Sequence, residues 1–206
     1  MPKAWNKTEK TLVRNSLLEQ GRILFEKHGL RKTTVDDVVT AAGISKGAFY
    51  LFFESKEDLY LRVIEHVEKG FRERVYRNLT APAAPKRASF RAFLREMVEF
   101  VRTTPIVSRL GPGDLQYLMR KLPPKALEQH MKSDTDYFVR QMRAWRKNGW
   151  IRAVDIKGLK GVLASLTYLV VHRDEFDAGE LEASKELLID MIATYLVPEE
   201  QTGEER

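Results

Sequence analysis

Two helix starts stand eleven residues apart, at Thr34 and Ser45, with Gly43 between them. In Thr34-Val35-Asp36-Asp37 the threonine hydroxyl is placed to cap a helix, and Asp37, at the third helical position, to reach back to the Thr34 amide. Val35, Val38, Val39 and Ala42 supply one apolar face to the short helix after this cap. Gly43 permits a tight turn. Ser45 caps a second helix, with Ile44 before it and Phe49 four residues on, the arrangement of a hydrophobic staple. These signals commit the segment to two short helices meeting at a corner.

Helical signals continue on both sides. Leu17, Leu18, Gly21, Leu24 and Phe25 form one stripe of a preceding helix, which Gly29 ends. Ser55 starts a further helix, with Asp58 completing another capping box, and this helix runs to about residue 79. Ala81-Pro82-Ala83-Ala84-Pro85 reads as a connector. Periodicity resumes with Phe90, Phe93, Leu94, Met97, Val98 and Val101, and Pro105 and Gly111-Pro112-Gly113 punctuate the next stretch. Pro123-Pro124 opens a long amphipathic segment to about 148, closed by Gly149. Two late helices cover about 156–172 and 180–196. Neither strand alternation nor a repeat is evident, so the expected class is all-α.

Composition bounds the function. Hydrophobic residues make up 43% of the 206, enough for a packed core. There is no cysteine, which removes disulfides, thiolate metal sites and cysteine nucleophiles. The uncharged stretch 161–172 is too short to span a bilayer, and no secretory signal is evident, so a cytoplasmic location and no membrane partner are expected. The formal charge is +6. Residues 86–152 carry fifteen basic and six acidic side chains, residues 153–206 five and twelve. A basic excess fits a polyanion partner without demanding one.

The corner is where chemistry concentrates. A helix-turn-helix braces its first helix against a DNA backbone and places its second in the major groove. Phe49, Phe52 and Phe53 suit the inner face of the second helix. Lys46, Gly47 and Tyr50 are left facing out near its N-terminus, and Ala48 borders both faces. Lys46 can reach a phosphate or a guanine O6/N7 edge, Tyr50 offers a hydroxyl to a phosphate, and Gly47 allows close approach. Lys56 can add a further phosphate contact. The same spacing also suits an ordinary helical corner with an exposed lysine and tyrosine.

Across about residues 8–66 the sequence strongly resembles the TetR/AcrR family of bacterial transcriptional regulators. The resemblance is carried by Leu17-Leu18, Leu24-Phe25, Gly29, Thr34-Val35-Asp36-Asp37-Val38, Ala41-Ala42-Gly43-Ile44-Ser45-Lys46-Gly47, Phe49-Tyr50, Phe53 and Ser55-Lys56-Glu57-Asp58-Leu59. It implies that Thr34, Lys46, Gly47, Ala48, Tyr50 and Lys56 lie at or near DNA. Leu51 and Phe52 depart from it, standing where many members carry His or Tyr. It also implies a helix-turn-helix domain at 1–60 (motif 34–53), then a ligand-binding and dimerisation domain at 61–206. In such a homodimer the last two helices form a four-helix bundle across the two-fold axis, and a ligand pocket lies inside the C-terminal domain.

The late helices are consistent with that on their own. Leu159, Val162, Leu163, Leu166 and Val170 line one face of the first, and Leu187, Leu188, Met191, Ile192 and Tyr195 line one face of the second. Packing within one chain would use the same pattern. Phe93, Met97, Tyr117, Phe138, Met142 and Trp145 are candidate ligand-lining residues, with Met131, Tyr137 and Trp150 nearby in sequence; such side chains also fill ordinary cores. His28, His66, His130 and His172 fall on separate elements, so no metal site is expected, and no cofactor or catalytic motif is evident. The leading expectation is a repressor that binds a two-fold-symmetric double-stranded operator as a homodimer and is released by a small apolar or aromatic effector. The alternative is a helical small-molecule-binding protein or enzyme that keeps the corner as scaffold.

Overall fold

Asn6 starts the first helix, α1 (Lys7–Lys32), through a capping box with Glu9. In this computed structural model the described residues are 5–79, 87–108 and 112–198. The connector at 81–85 and Gly111 lie outside them. Helices α2 (Val35–Ala42), α3 (Lys46–Phe49), α4 (Lys56–Leu79), α5 (Arg87–Thr103), α6 (Pro105–Ser108), α7 (Pro112–Lys121), α8 (Pro124–Lys147), α9 (Ile156–Val171) and α10 (Ala178–Leu196) complete the order, with a 3-10 turn at Arg173–Glu175. Among the described residues every regular element is helical, as the periodicity predicts.

The chain divides into two compact units, one of Met1–Gly70 with Pro105–His130, the other of Phe71–Thr104 with Met131–Arg206. The domain division expected from the sequence lies at residue 60. The first unit extends to Gly70, and it takes in α6, α7 and the start of α8. Helices α4 and α8 each contribute residues to both units.

In the first unit the predicted stripe of α1 is buried at Leu17, Leu18 and Phe25, against Val38 and Val39 of α2, Phe49 and Phe53, and Leu59, Val63 and Ile64 of α4. Each such side chain contributes roughly 1.5–3 kcal/mol when fully buried. Gly21 belongs to this face because a Cβ there would stand 2.9 Å from Leu59 Cδ2. Gly29 interrupts α1 with φ 80° and ψ 164°, and Leu30 then turns back into the core.

In the second unit α5, α9 and α10 pack on one another. Phe90, Phe93, Leu94 and Val98 of α5 are buried, as are Leu159, Leu166 and Val170 of α9 and Ile189, Ile192 and Leu196 of α10. Arg91 pairs with Asp190, Arg95 with Glu186 at 2.6 Å, and the Arg87 guanidinium donates to the Val197 carbonyl at 3.2 Å. Four residues separate Arg91 from Arg95 and Glu186 from Asp190, so the charges meet as two rungs across two helices.

Candidate nucleic-acid interface

The corner is built from local bonds. Thr34 and Asp37 close their capping box: the Asp37 amide donates to Thr34 Oγ1 at 3.1 Å, and the Thr34 amide to Asp37 Oδ2 at 2.8 Å. The Thr34 hydroxyl and amide hold the Asp37 carboxyl below its ordinary range. Gly43 ends α2 in the left-handed region, φ 66° and ψ 34°. The Ile44 amide then donates to the Val39 carbonyl at 3.1 Å, and Ser45 Oγ accepts from the Ala48 amide at 3.2 Å. Ser55 caps α4 through the Asp58 amide at 3.1 Å. The second box differs from expectation, because the Asp58 carboxylate accepts from the Glu54 amide at 3.2 Å.

Above this scaffold α3 has two faces. Phe49 and Phe53 are buried beneath it, and Phe52 is half-buried with its ring 5.5 Å from that of Trp5. Lys46 and Gly47 are exposed, Ala48 is half-buried, and Tyr50 is half-exposed. A Cβ on Gly47 would meet nothing within 4 Å, so its face is open. Leu51, three-quarters exposed, is the most open large apolar side chain among the described residues. In the sequence Leu51 stands out only as a departure from the family pattern. It stands open to solvent next to Tyr50 in the turn that follows α3.

Lys46 is not a bare cation. Its ammonium lies 2.9 Å from Asp36 Oδ2 in the first turn of α2, and that carboxylate raises the Lys46 pKa. No sequence signal pairs Asp36 with Lys46, because their ten-residue separation has no meaning until the Gly43 turn folds.

Lys56 departs further from expectation. Its ammonium donates to the carbonyls of Leu30 at 3.0 Å, Arg31 at 3.0 Å and Thr33 at 2.7 Å. An ammonium has three protons, so all three are engaged with the end of α1 and the approach to α2. Its place in this structure is a clamp that holds the corner against α1.

The candidate ligand residues are divided between the two units. Tyr117 belongs to the first unit, where its hydroxyl donates to Glu57 Oε1 at 2.6 Å and the Arg31 guanidinium lies 5.4 Å from its ring centre. Phe93, Met142 and Trp145 are buried in the second unit, with Phe90 and Phe93 edge-on to Trp145 at 5.7 and 5.8 Å. Met97 and Phe138 are half-buried. The first unit also carries an open cleft of about 650 Å³ between Ser55, Asp58 and Arg62 on one side and Lys121, Lys125 and Gln129 on the other.

The predicted late-helix faces divide in the same way. Leu159, Leu166, Val170 and Ile192 face their own unit's core, which corrects their assignment to an intersubunit surface. Val162, Leu187, Met191 and Tyr195 stay exposed, and Leu163 and Leu188 are half-buried. Among the described residues no cluster of metal-ligating side chains occurs, and no helix is long and apolar enough to cross a membrane.

An all-helical chain whose capped corner presents an open short helix on a buried aromatic base is of the helix-turn-helix class. Residues 17–63 match the model of "Bacterial regulatory proteins, tetR family". That stretch is similar to the N-terminal helix-turn-helix domain of the tetR family. It is 28% identical over 134 residues to the uncharacterized HTH-type transcriptional regulator YfiR of Bacillus subtilis, covering 65% of this chain and 63% of that one. It is 33% identical over 121 residues to the HTH-type transcriptional repressor KstR2 of Rhodococcus jostii, covering 57% of each. The match thus spans less than two thirds of either relative. A TetR-family regulator structure from Pectobacterium atrosepticum superposes with a TM-score of 0.67 at 19% identity, covering 95% of this chain and 99% of that one.

Proposed function

We propose that this protein is a ligand-responsive repressor that binds a two-fold-symmetric operator as a homodimer. The observation that carries the reading is the open surface of α3 and the turn after it. Lys46, Gly47, Tyr50 and Leu51 stand open on a rigid base of Phe49 and Phe53, within the segment matched to the tetR family. Lys46 has the chemistry to donate to a guanine edge, Tyr50 to a phosphate, and Leu51 to touch a thymine methyl group. Thr34 and Ala48 lie at the border of the contact, and Lys56 acts by positioning.

The exposed apolar residues Val162 of α9 and Leu187, Met191 and Tyr195 of α10 support self-association. The three on α10 recur at four-residue intervals, as a stripe that water leaves unsatisfied. Two identical reading heads require inverted half-sites, spaced by one or more helical turns. The effector is an apolar or aromatic molecule that enters the second unit beside Met97 and Phe138. Helix α4 starts at the corner and contributes residues to both units, which supports a coupling of ligand to DNA. The coupling is reciprocal: an effector that weakens operator binding is itself bound more weakly on operator, by the same factor.

Genomic fragments selected by the purified protein test the reading. The expected outcome is a set of sequences with inverted symmetry, bound by a dimer in light scattering. Selection of no duplex, or of sequences without symmetry, overturns it. Tryptophan fluorescence during a screen of apolar acids and neutral aromatics tests the effector. A ligand of the second unit that leaves operator affinity unchanged is not the effector.

A further inference from the structure

Two oppositely charged side chains meet on the outward side of the corner. Asp36 Oδ2 and Lys46 Nζ are 2.9 Å apart, with the side chains 69% and 52% exposed. A pair so open to water adds little to folding stability. Asp36 is also dispensable for capping, since Thr34 and Asp37 close the box by themselves. A carboxylate at this place therefore has its main consequence for any polyanion that approaches Lys46.

We propose that Asp36 is a specificity-determining residue that neutralises Lys46 away from the operator. The proposal rests on the DNA-binding function proposed for α3. Attraction to any duplex comes from cations that displace counterions from phosphates, regardless of sequence. A lysine paired with a carboxylate contributes little of that attraction. One ammonium proton faces Asp36, and two remain. A guanine edge offers two acceptors, O6 and N7, in the major groove. On the operator those acceptors engage the free protons while Asp36 keeps the ammonium aimed. On other sequences the pair stays neutral and offers the phosphates little attraction. Asp36 thus lowers binding to the wrong DNA more than to the right DNA.

The test uses the full chain, a selected operator duplex and a scrambled duplex of equal length, across a salt series. Asp36→Asn is expected to raise affinity for the scrambled duplex roughly threefold or more, and to steepen its log–log salt slope by up to about 0.9. Affinity for the operator rises less, so the ratio between the two falls. Asp36→Glu keeps the charge and keeps the ratio. In a Lys46→Ala background Asp36→Asn leaves the ratio unchanged, because the residue acts through Lys46. Thermal unfolding checks each fold, and Asp36→Ser replaces Asp36→Asn should that variant unfold. A ratio unaltered by charge removal with Lys46 present overturns the proposal, as does an equal change in the Lys46→Ala background. A wild-type chain that fails to prefer the operator overturns the DNA-binding function itself.

Discussion

The Tyr117 hydroxyl donates to Glu57 Oε1 at 2.6 Å, tying α7 to the first turn of α4. Arg31 holds the same junction from the end of α1, bonding Asp114 at 3.2 Å and the Gly113 carbonyl at 2.8 Å. Glu57 is one of the few charged side chains buried in the described structure, so its donor matters. Tyr117→Phe leaves the carboxylate short of a partner, at a cost of about 1–3 kcal/mol. Urea unfolding of the two proteins checks this, and equal midpoints would contradict it.

Alkaline pH acts on the same unit. The Glu57 bond raises the Tyr117 phenol, and burial raises that of Tyr60, whose hydroxyl donates to the Ile106 carbonyl at 3.2 Å. A phenol raised above its unfolded value, about 10, favours the folded state while protonated. Its contribution is complete below pH ~10 and is lost as pH rises towards the folded values. Stability measured from pH 8 to 11 should fall across the upper end. Tyr117→Phe should make that fall shallower.

Lys56→Met separates a clamp from a phosphate contact. The carbonyls of Leu30, Arg31 and Thr33 lose their shared donor, which destabilises the first unit by about 1–3 kcal/mol. Operator binding weakens through a misplaced corner while the log–log salt slope stays as in the wild type. A slope reduced by about 0.9 would instead identify a lost phosphate contact.

Tyr50→Phe and Lys46→Ala should fail differently on DNA. Tyr50→Phe removes the hydroxyl proposed to meet a phosphate, so binding should weaken across most sequences. Loss of Lys46 relaxes preference at a guanine, a discrimination of about 1–3 kcal/mol. Binding of both variants to an operator series at matched salt checks the assignment. Wild-type affinity in both would remove α3 from the interface.

On α10, neighbouring residues should give opposite results. Met191 and Tyr195 are 57% and 60% exposed, whereas Ile192 is 6% exposed. Met191→Glu and Tyr195→Glu should yield folded monomers in light scattering, with unchanged helicity. Ile192→Glu puts an unpaired charge into the core and should unfold the unit.

Gly21→Ala sets helix propensity against packing. Alanine gains up to about 1 kcal/mol in a helix interior. Its Cβ, however, falls 2.9 Å from Leu59 Cδ2, and Leu59 is fully buried. Overpacking of this kind costs about 1–3 kcal/mol, so the variant should unfold at lower denaturant than the wild type.

The features legible in the amino-acid order are those that adjacent residues decide among themselves. Thr34 with Asp37, the left-handed Gly43, Ser45 with Ala48 and Ser55 with Asp58 each act within a few positions. Their bonds form wherever the local backbone turns, so the helix limits and the corner are set by the string of residues. Tertiary structure decided the partners that lie far apart. Lys56 finds carbonyls 23 to 26 residues away, and Tyr117 finds Glu57 across 60. It also decided the rotation of α9 and α10, which turns Leu166 and Ile192 inward and leaves Val162 and Met191 in water. A helix has 3.6 residues per turn, so an apolar face wider than one stripe can be shared between a core and a second surface. Only the packing of α5 against both helices settles which residues go to which.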